Sequence, residues 1–373
     1  MEVLTHARVL TSDGLRDGLS VCIDHRLIRH VIPDRDVPPE WPVTDLEGGI
    51  LAPGFIDLQV NGGGDVLFNA APTVESLERM VHAHRKFGTT GMLPTLITSD
   101  RQTLHRAIDA VREAIQSGIG GILGIHIEGP FLSSSRRGIH DARLFRHPDE
   151  DDLALLATAG VGAVLLTLAP EQVGTDLIRR LSADGIIVAA GHSDATYEQV
   201  RAAQDAGLSG FTHLFNAMSP LQTRAPGVVG AALEDPRSWC GIIADGFHVH
   251  PAVLRLARKL KPQGTLVLVT DAMPPVGGVH DRFELDGQEI RCSGGRCTGM
   301  DGTLAGSALD MASAVRNAVQ WLGVSVEEAL RMASQYPARI LGLDEQIGRI
   351  EPGQRANLVY LDDALQVRRV WTA

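Results

Sequence analysis

Residues 55–64 read FIDLQVNGGG, and the parsing of the whole chain turns on them. Ile56, Leu58 and Val60 alternate with Asp57, Gln59 and Asn61, the period-2 pattern of a β-strand. Three glycines then end the strand. From here short apolar runs recur: FIDLQV, TTGMLPT, GILGIHIE, GAVLLTLA, GIIVAA, LSGFTH, CGIIAD and TLVLVTD. The segments between them, such as VESLERMVHAHRKFG, RQTLHRAIDAVREAIQ and PAVLRLARKLK, space their apolar residues as helices do. Eight strand–helix units in a row predict an α/β protein built on a (β/α)8 TIM-like barrel, which needs about 250 residues. Residues 53–340 supply it, with a hairpin-rich excursion near 279–303 and a closing helix near 307–335.

The flanks have another texture. Residues 1–52 and 341–373 are short strands and turns, and neither is long enough to bury a core alone. They are expected to pair into one small β-sandwich domain beside the barrel.

Bulk properties narrow the function. The chain has 373 residues, 44% of them hydrophobic, and a formal net charge of −11 with no basic block. Nucleic acid and anionic membranes are thereby disfavoured as partners, while a local Arg/His pocket for a small anion is not. The longest apolar run is too short to span a bilayer. The opening MEVLTHARVL lacks the pattern of a signal peptide. The four scattered cysteines, Cys22, Cys240, Cys292 and Cys297, read as free thiols of a reducing compartment. A cytoplasmic enzyme is the expectation.

A barrel of this kind carries its active site at the C-terminal ends of its strands. The first strand ends in Gln59-Val60-Asn61, the third in Glu128, the fifth in His192, the sixth in His213 and the eighth in Asp271. Glu128, His192 and His213 form the two-histidine, one-carboxylate set of catalytic zinc, which leaves a position for water. Asp271 is then placed to take the proton of that water and pass it to a leaving group. Taken singly, each residue also reads as a cap or a hydrogen-bonded core residue. His82-Ala83-His84 has H-x-H spacing but lies in a helical segment, where i and i+2 point about 200° apart. Both histidines are expected to be solvated or packed by their stems. His126 is expected to be a core histidine.

These motifs together resemble the N-acetylglucosamine-6-phosphate deacetylase family of the amidohydrolase superfamily. The stretches that carry the resemblance are PGFIDLQVNG, HIEGPF, RRGIHDA, LAPE, AGHSDAT, THLFNAMSP, GIIADGFHVHP, LVTDAM and GTLAGS. The resemblance implies hydrolysis of N-acetylglucosamine 6-phosphate to glucosamine 6-phosphate and acetate. It implies Glu128, His192 and His213 as metal ligands, Asp271 as general acid and base, and His140 as the residue that polarises the acetamide carbonyl. Substrate contacts are implied for Ile139, His140, Asn216, Ala217, Asp245, Gly246, Phe247, His248, Leu304, Ala305 and Gly306. Arg224 and His248 match a phosphate-binding pair that reaches the substrate of the neighbouring subunit in a homodimer.

Superfamily members with two metals carry H-x-H on the first strand, where this chain has Gln59 and Asn61. The second-metal position is therefore expected to be vacant, with one divalent ion per subunit. Zn2+ fits the donors best, and Fe2+, Co2+ or Mn2+ suit the same set. Two rivals stay open: deacylation of another amide, such as a related hexosamine phosphate or an N-acyl amino acid, and a non-catalytic barrel that binds sugar phosphate.

Overall fold

The polar row of FIDLQVNGGG faces the inside of a barrel. The computed structural model describes residues 1–157 and 160–373. Among these, eight parallel strands neighbour one another in chain order. They are β1 (Phe55–Val60), β2 (Thr89–Ile97), β3 (Gly124–Glu128), β4 (Ala163–Leu168), β5 (Ile187–Ala190), β6 (Gly210–Phe211), β7 (Trp239–Ile242) and β8 (Leu266–Leu268). The ring closes through a parallel bridge between Val60 and Ala272 and through the Asp271 N–H, which donates to the Gln59 carbonyl at 3.0 Å.

Every residue of β1 is buried, polar ones included. The alternation read from sequence thus divides lumen from helix-facing side, not core from solvent. Ile56, Leu58 and Val60 join the main apolar core, where full burial of such a side chain is worth about 1.5–3 kcal/mol.

The helices start where their caps dictate. Asp100 accepts from Thr103 N–H at the start of the helix Arg101–Gln116. Thr196 and Gln199 form a reciprocal capping box that begins the helix Tyr197–Asp205 directly after His192-Ser193-Asp194. That cap sets where the β5 strand end must turn. The expected closing helix is broken in two. Met311–Asn317 runs on into a π-turn over Ala318–Leu322 and stops at Gly323, whose φ is +68°. A new helix, Val326–Met332, then starts on the Ser325 cap.

The excursion is a four-stranded antiparallel sheet, Arg282–Leu285, Gln288–Ser293, Arg296–Thr298 and Leu304–Ser307. Its last strand joins the barrel seam by a bridge from Ser307 to Ala272. The reading of four free thiols is corrected here. Cys292 and Cys297 stand opposite each other on neighbouring strands, with Cα atoms 4.0 Å apart, and form a disulfide. Only the hairpin register brings them together. Cys22 and Cys240 are buried thiols.

Both termini build the second unit. One sheet orders Leu27–Pro33, Leu19–Asp24, Glu2–Thr5 and Val43–Asp45. The other orders Val367–Trp371, Leu358–Leu361, Ile50–Pro53, Arg8–Thr11 and Gly14–Arg16. A separate core that includes Leu4, Val21, Ile28, Leu51 and Leu358 lies between them. Among the described residues no helix is long and apolar enough to cross a membrane.

Candidate active site

The C-terminal rim of the barrel opens into a cavity of about 370 Å³. Glu128, His192, His213 and Asp271 all line it. His213 Nε2 lies 2.9 Å and His192 Nε2 3.1 Å from Glu128 Oε1, and the two imidazole nitrogens are 3.1 Å apart. His192 Nδ1 is 2.9 Å from the Arg136 carbonyl, which can only accept. The Nδ1 proton is therefore committed, and in the neutral ring Nε2 presents its lone pair. Two imidazole nitrogens and a carboxylate oxygen that face one another this closely repel unless a proton or a cation sits among them. The donor set fits a divalent metal, and the Arg136 carbonyl supplies the outer hydrogen bond that such ligating histidines usually make.

Electrostatics agree with the geometry. Burial opposes ionisation of Glu128, yet the two histidines hold its carboxyl well below the usual carboxylate range. Burial alone would lower His213, but its hydrogen bond to Glu128 and that carboxylate's charge raise it. Burial, with the Glu128 charge second, pushes Asp271 up to about 6, partly offset by His213 and His248 and, least, by the Asn61 hydrogen bond.

The amides of β1 take up a specific arrangement. Asn61 Nδ2 donates to Asp271 Oδ1 at 2.5 Å. Gln59 Nε2 lies 3.2 Å from both Asp271 Oδ1 and Glu128 Oε2, placed to donate to either. Where the superfamily's two-metal members have H-x-H, this chain has N–H donors that already engage both carboxylates.

Backbone strain collects at the same place. His192, His213 and Asp271 have φ values of +49°, +33° and +52°, a region that residues other than glycine seldom occupy. Each such residue costs on the order of 1–3 kcal/mol and persists only where its surroundings hold it. Around His192 that hold comes from Glu171, whose carboxylate accepts from Ser193 Oγ and the Asp194 N–H, both at 2.7 Å.

His140 enters from the loop after β3. It is buried, its ring is tilted by 55° against that of His192 with centroids 4.2 Å apart, and Nδ1 contacts Thr98 Oγ1 at 2.8 Å. It also brings a ring nitrogen within 4.8 Å of ligand atoms of Glu128 and His192. His213 offers a nitrogen closer still to the carboxylate, 2.9 Å from Glu128, so both histidines could serve beside His192. Burial, with His192 beside it, keeps His140 well below the ordinary histidine value and so neutral. Beneath this layer His126 is a core residue, bridging Thr95 and Thr167 with hydroxyl contacts at 3.2 and 2.7 Å.

The remaining predicted residues divide. Ile139, Asn216, Ala217, His248, Leu304 and Gly306 line the cavity. Ala305 is fully buried in the apolar cluster of the excursion. Asp245 accepts from Phe247 N–H and His248 N–H at 2.9 Å and contacts His248 Nδ1 at 2.6 Å, so it fixes His248 in place. Gly246 and Phe247 form the turn that this hydrogen bonding creates, and Phe247 is exposed. Arg224 is exposed on the loop that precedes the helix Gly227–Glu234 and does not line the cavity. His248, by contrast, lines the cavity of its own chain. It follows β7, and every strand of the ring delivers its C-terminal end to one mouth.

In the helix Val74–Arg85, His82 is exposed but His84 is fully buried, with Nε2 donating to the Gly62 carbonyl at 2.8 Å. It props the loop after Asn61. Sequence reasoning missed Arg136, Thr303 and Met273, which line the cavity, and Thr98, which holds His140. Arg136 lies in the quoted RRGIHDA, four residues before His140, and that proximity was the available signal.

Comparison with known proteins follows the same lines. The model of the amidohydrolase family matches residues 50–372. N-acetylgalactosamine-6-phosphate deacetylase of Shewanella sp. (strain ANA-3) is 44% identical over 100% of this chain and 95% of its own. N-acetylglucosamine-6-phosphate deacetylase of Homo sapiens is 42% identical over 88% of this chain and 83% of its own. The crystal structure of N-acetylglucosamine-6-phosphate deacetylase from Pasteurella multocida superposes with a TM-score of 0.96 at 38% identity, covering 100% of this chain and 98% of that one. This chain belongs to the amidohydrolase family and, within it, to the group of N-acetylglucosamine- and N-acetylgalactosamine-6-phosphate deacetylases.

Proposed function

We propose that this protein hydrolyses the N-acetyl group of N-acetylglucosamine 6-phosphate, releasing acetate and glucosamine 6-phosphate. The observation that carries the reading is the convergence of Glu128, His192 and His213 at 2.9–3.1 Å beside Asp271, in a cavity of a chain alike over its full length to such deacetylases.

Glu128, His192 and His213 would hold a divalent ion, Zn2+ by the nature of the donors, although Fe2+, Co2+ and Mn2+ suit the same set. When bound, it supplies a Lewis acid and lowers the pKa of a water from about 15.7 to about 7. Asp271 accepts the proton of the attacking water and returns it to the departing amine. Its elevation to about 6 by burial suits a group that must take and give a proton near neutrality. Asn61 and Gln59 aim its carboxylate. His140 donates to the developing oxyanion, in the tautomer where Thr98 Oγ–H donates to Nδ1 and Nε2 keeps its proton. One such donor is typically worth about 3 kcal/mol.

The position beside Gln59 and Asn61 stays without a second metal, because their N–H groups repel a cation there. Arg224 and His248 are the phosphate-binding pair. In a homodimer this pair reaches the phosphate of the neighbouring subunit's substrate, and the exposure of Arg224 on its loop supports that reading. A cytoplasmic setting belongs to the same reading, since a sugar phosphate dianion does not cross a bilayer unaided.

A second reading concerns the 4-epimer. The Shewanella relative, 44% identical, is named for the galactosamine substrate, so N-acetylgalactosamine 6-phosphate is the alternative. The test is acetate release from both phosphorylated epimers and from unphosphorylated N-acetylglucosamine. Strong turnover of a phosphorylated epimer alone supports the reading, and the faster epimer names the substrate. Equal turnover without phosphate removes the phosphate anchor from the proposal. No turnover of any of the three overturns the deacetylase reading.

A further inference from the structure

We propose that Asp57 is a positioning residue that acts through Thr270 to hold Asp271 in its working conformation, an inference that rests on the deacetylase reading above. Asp57 is fully buried and does not line the cavity, so it touches no substrate. Its carboxylate faces the residue before Asp271. Thr270 Oγ1 donates to Asp57 Oδ2 at 2.5 Å, and the Thr270 N–H to Oδ1 at 3.3 Å. The same hydroxyl accepts from the Ala272 N–H at 3.2 Å, on the far side of Asp271. Asp57 Oδ1 also accepts from the Gln59 N–H at 3.1 Å, and the Gln59 amide lies 3.2 Å from Asp271 Oδ1. One carboxylate thus reaches the flanks of Asp271 and one of its side-chain partners.

Asp271 requires such a hold. Its φ of +52° is unfavourable for a residue with a side chain. The seam on which it sits is sparsely laddered: β3 and β4 share a register of five residue pairs, whereas among the described residues β1 meets the segment that follows β8 in one bridge, Val60–Ala272. Ser307 holds the other side, its Oγ donating to the Thr270 carbonyl at 2.6 Å and its N–H to the Asp271 carbonyl at 2.9 Å. Burying a carboxylate costs far more than burying an apolar side chain of similar size. The burial shows in Asp57 itself, whose pKa is pushed up to about 7. Packing alone would not select an aspartate here.

The test compares wild type with Asp57→Asn, Thr270→Val and Thr270→Ser, measuring kcat, KM for the phosphorylated substrate, and metal bound per chain. Asp57→Asn and Thr270→Val are expected to lower kcat about tenfold or more, since misplacing a reacting group by about 1 Å has effects up to about 100-fold. KM should stay within about twofold and metal content unchanged, because neither residue reaches substrate or ligands. Thr270→Ser keeps the hydroxyl and should keep the activity. An unchanged kcat in Thr270→Val, a loss that merely tracks metal content, or equal impairment in Thr270→Ser overturns the proposal. A crystal structure of Thr270→Val decides the same point without turnover: Asp271 leaving its left-handed conformation or its Asn61 contact supports the proposal, and an unmoved Asp271 overturns it. An inactive wild type would therefore sink the deacetylase reading while the positioning claim is still decided by that structure.

Discussion

At the β3–β5–β6 arc of the rim, Glu128, His192 and His213 bring three electron-rich atoms within 2.9–3.1 Å of one another, whereas at the β8–β1 seam Gln59 and Asn61 direct N–H groups at Asp271 and Glu128. Both arcs are made of strand ends of the same kind. They differ in the sign of what they offer. The first gathers lone pairs with too few protons to satisfy them and so calls for a cation. The second supplies the protons itself and leaves a carboxylate held in place. One barrel rim can thus gather electron-rich atoms on one arc and hold a carboxylate with N–H donors on another.

The harshest way to break this comparison is to remove a donor from the first arc. Glu128→Gln should lose both bound metal and activity, to below detection, because the amide offers a weaker and uncharged ligand. Metal retained at one equivalent would show that the ligand set is wrong. Next in size is Asp271→Asn, which should keep its metal and lose about 10²–10⁴-fold in kcat, the usual contribution of a positioned acid–base group. Metal lost with activity would make Asp271 a ligand and erase the distinction between the arcs.

A smaller effect is expected at Arg224. Arg224→Ala should raise KM for the phosphorylated sugar about 10–100-fold with kcat little changed, as for loss of one charge-assisted contact. Mixing Arg224→Ala with an Asp271→Asn protein, each crippled alone, should regain part of the activity if the arginine crosses to a neighbouring subunit. No regain would confine Arg224 to its own chain or to the surface.

The smallest effect reads stability across pH. Burial raises the native Asp57 carboxyl from about 3.8 to about 7, so the folded state holds its proton more tightly than the unfolded chain. Between those values the native state carries more protons, and stability must fall as pH rises, levelling off above about 7. The span corresponds to about 4 kcal/mol at most, at about 1.36 kcal/mol per pH unit. In chelator-treated protein the stability advantage of wild type over Asp57→Asn should shrink from pH 5 to pH 8, measured as the difference in Tm. A difference independent of pH would mean that Asp57 does not titrate in the fold, and that the seam is held by packing.

How much of this was legible beforehand depended on distance along the chain. The strand–helix alternation and the polar strand ends were readable, because each depends on a few consecutive residues and because the fold sends every strand end to one mouth. Glu128, His192, His213 and Asp271 were found in that way. His82 and His84 were expected to be solvated or packed by their stems, and the full burial of His84 against Gly62 lay beyond reach, since a helix position does not disclose what packs on it. His248 lines the cavity because β7 delivers its C-terminal end to the same mouth.

Sequence alone therefore determined the barrel, its small companion built from both ends, and the chemical types of residue at the rim. Local periodicity and strand polarity suffice for those. Tertiary structure decided which of these residues touch: the amides of β1 against Asp271, the Cys292–Cys297 bridge across a hairpin, and Asp57 against Thr270, 213 residues away. The physical reason is closure. When the last strand meets the first, side chains from opposite ends of the barrel come within hydrogen-bonding distance, and no pattern along the chain records which of them will face each other.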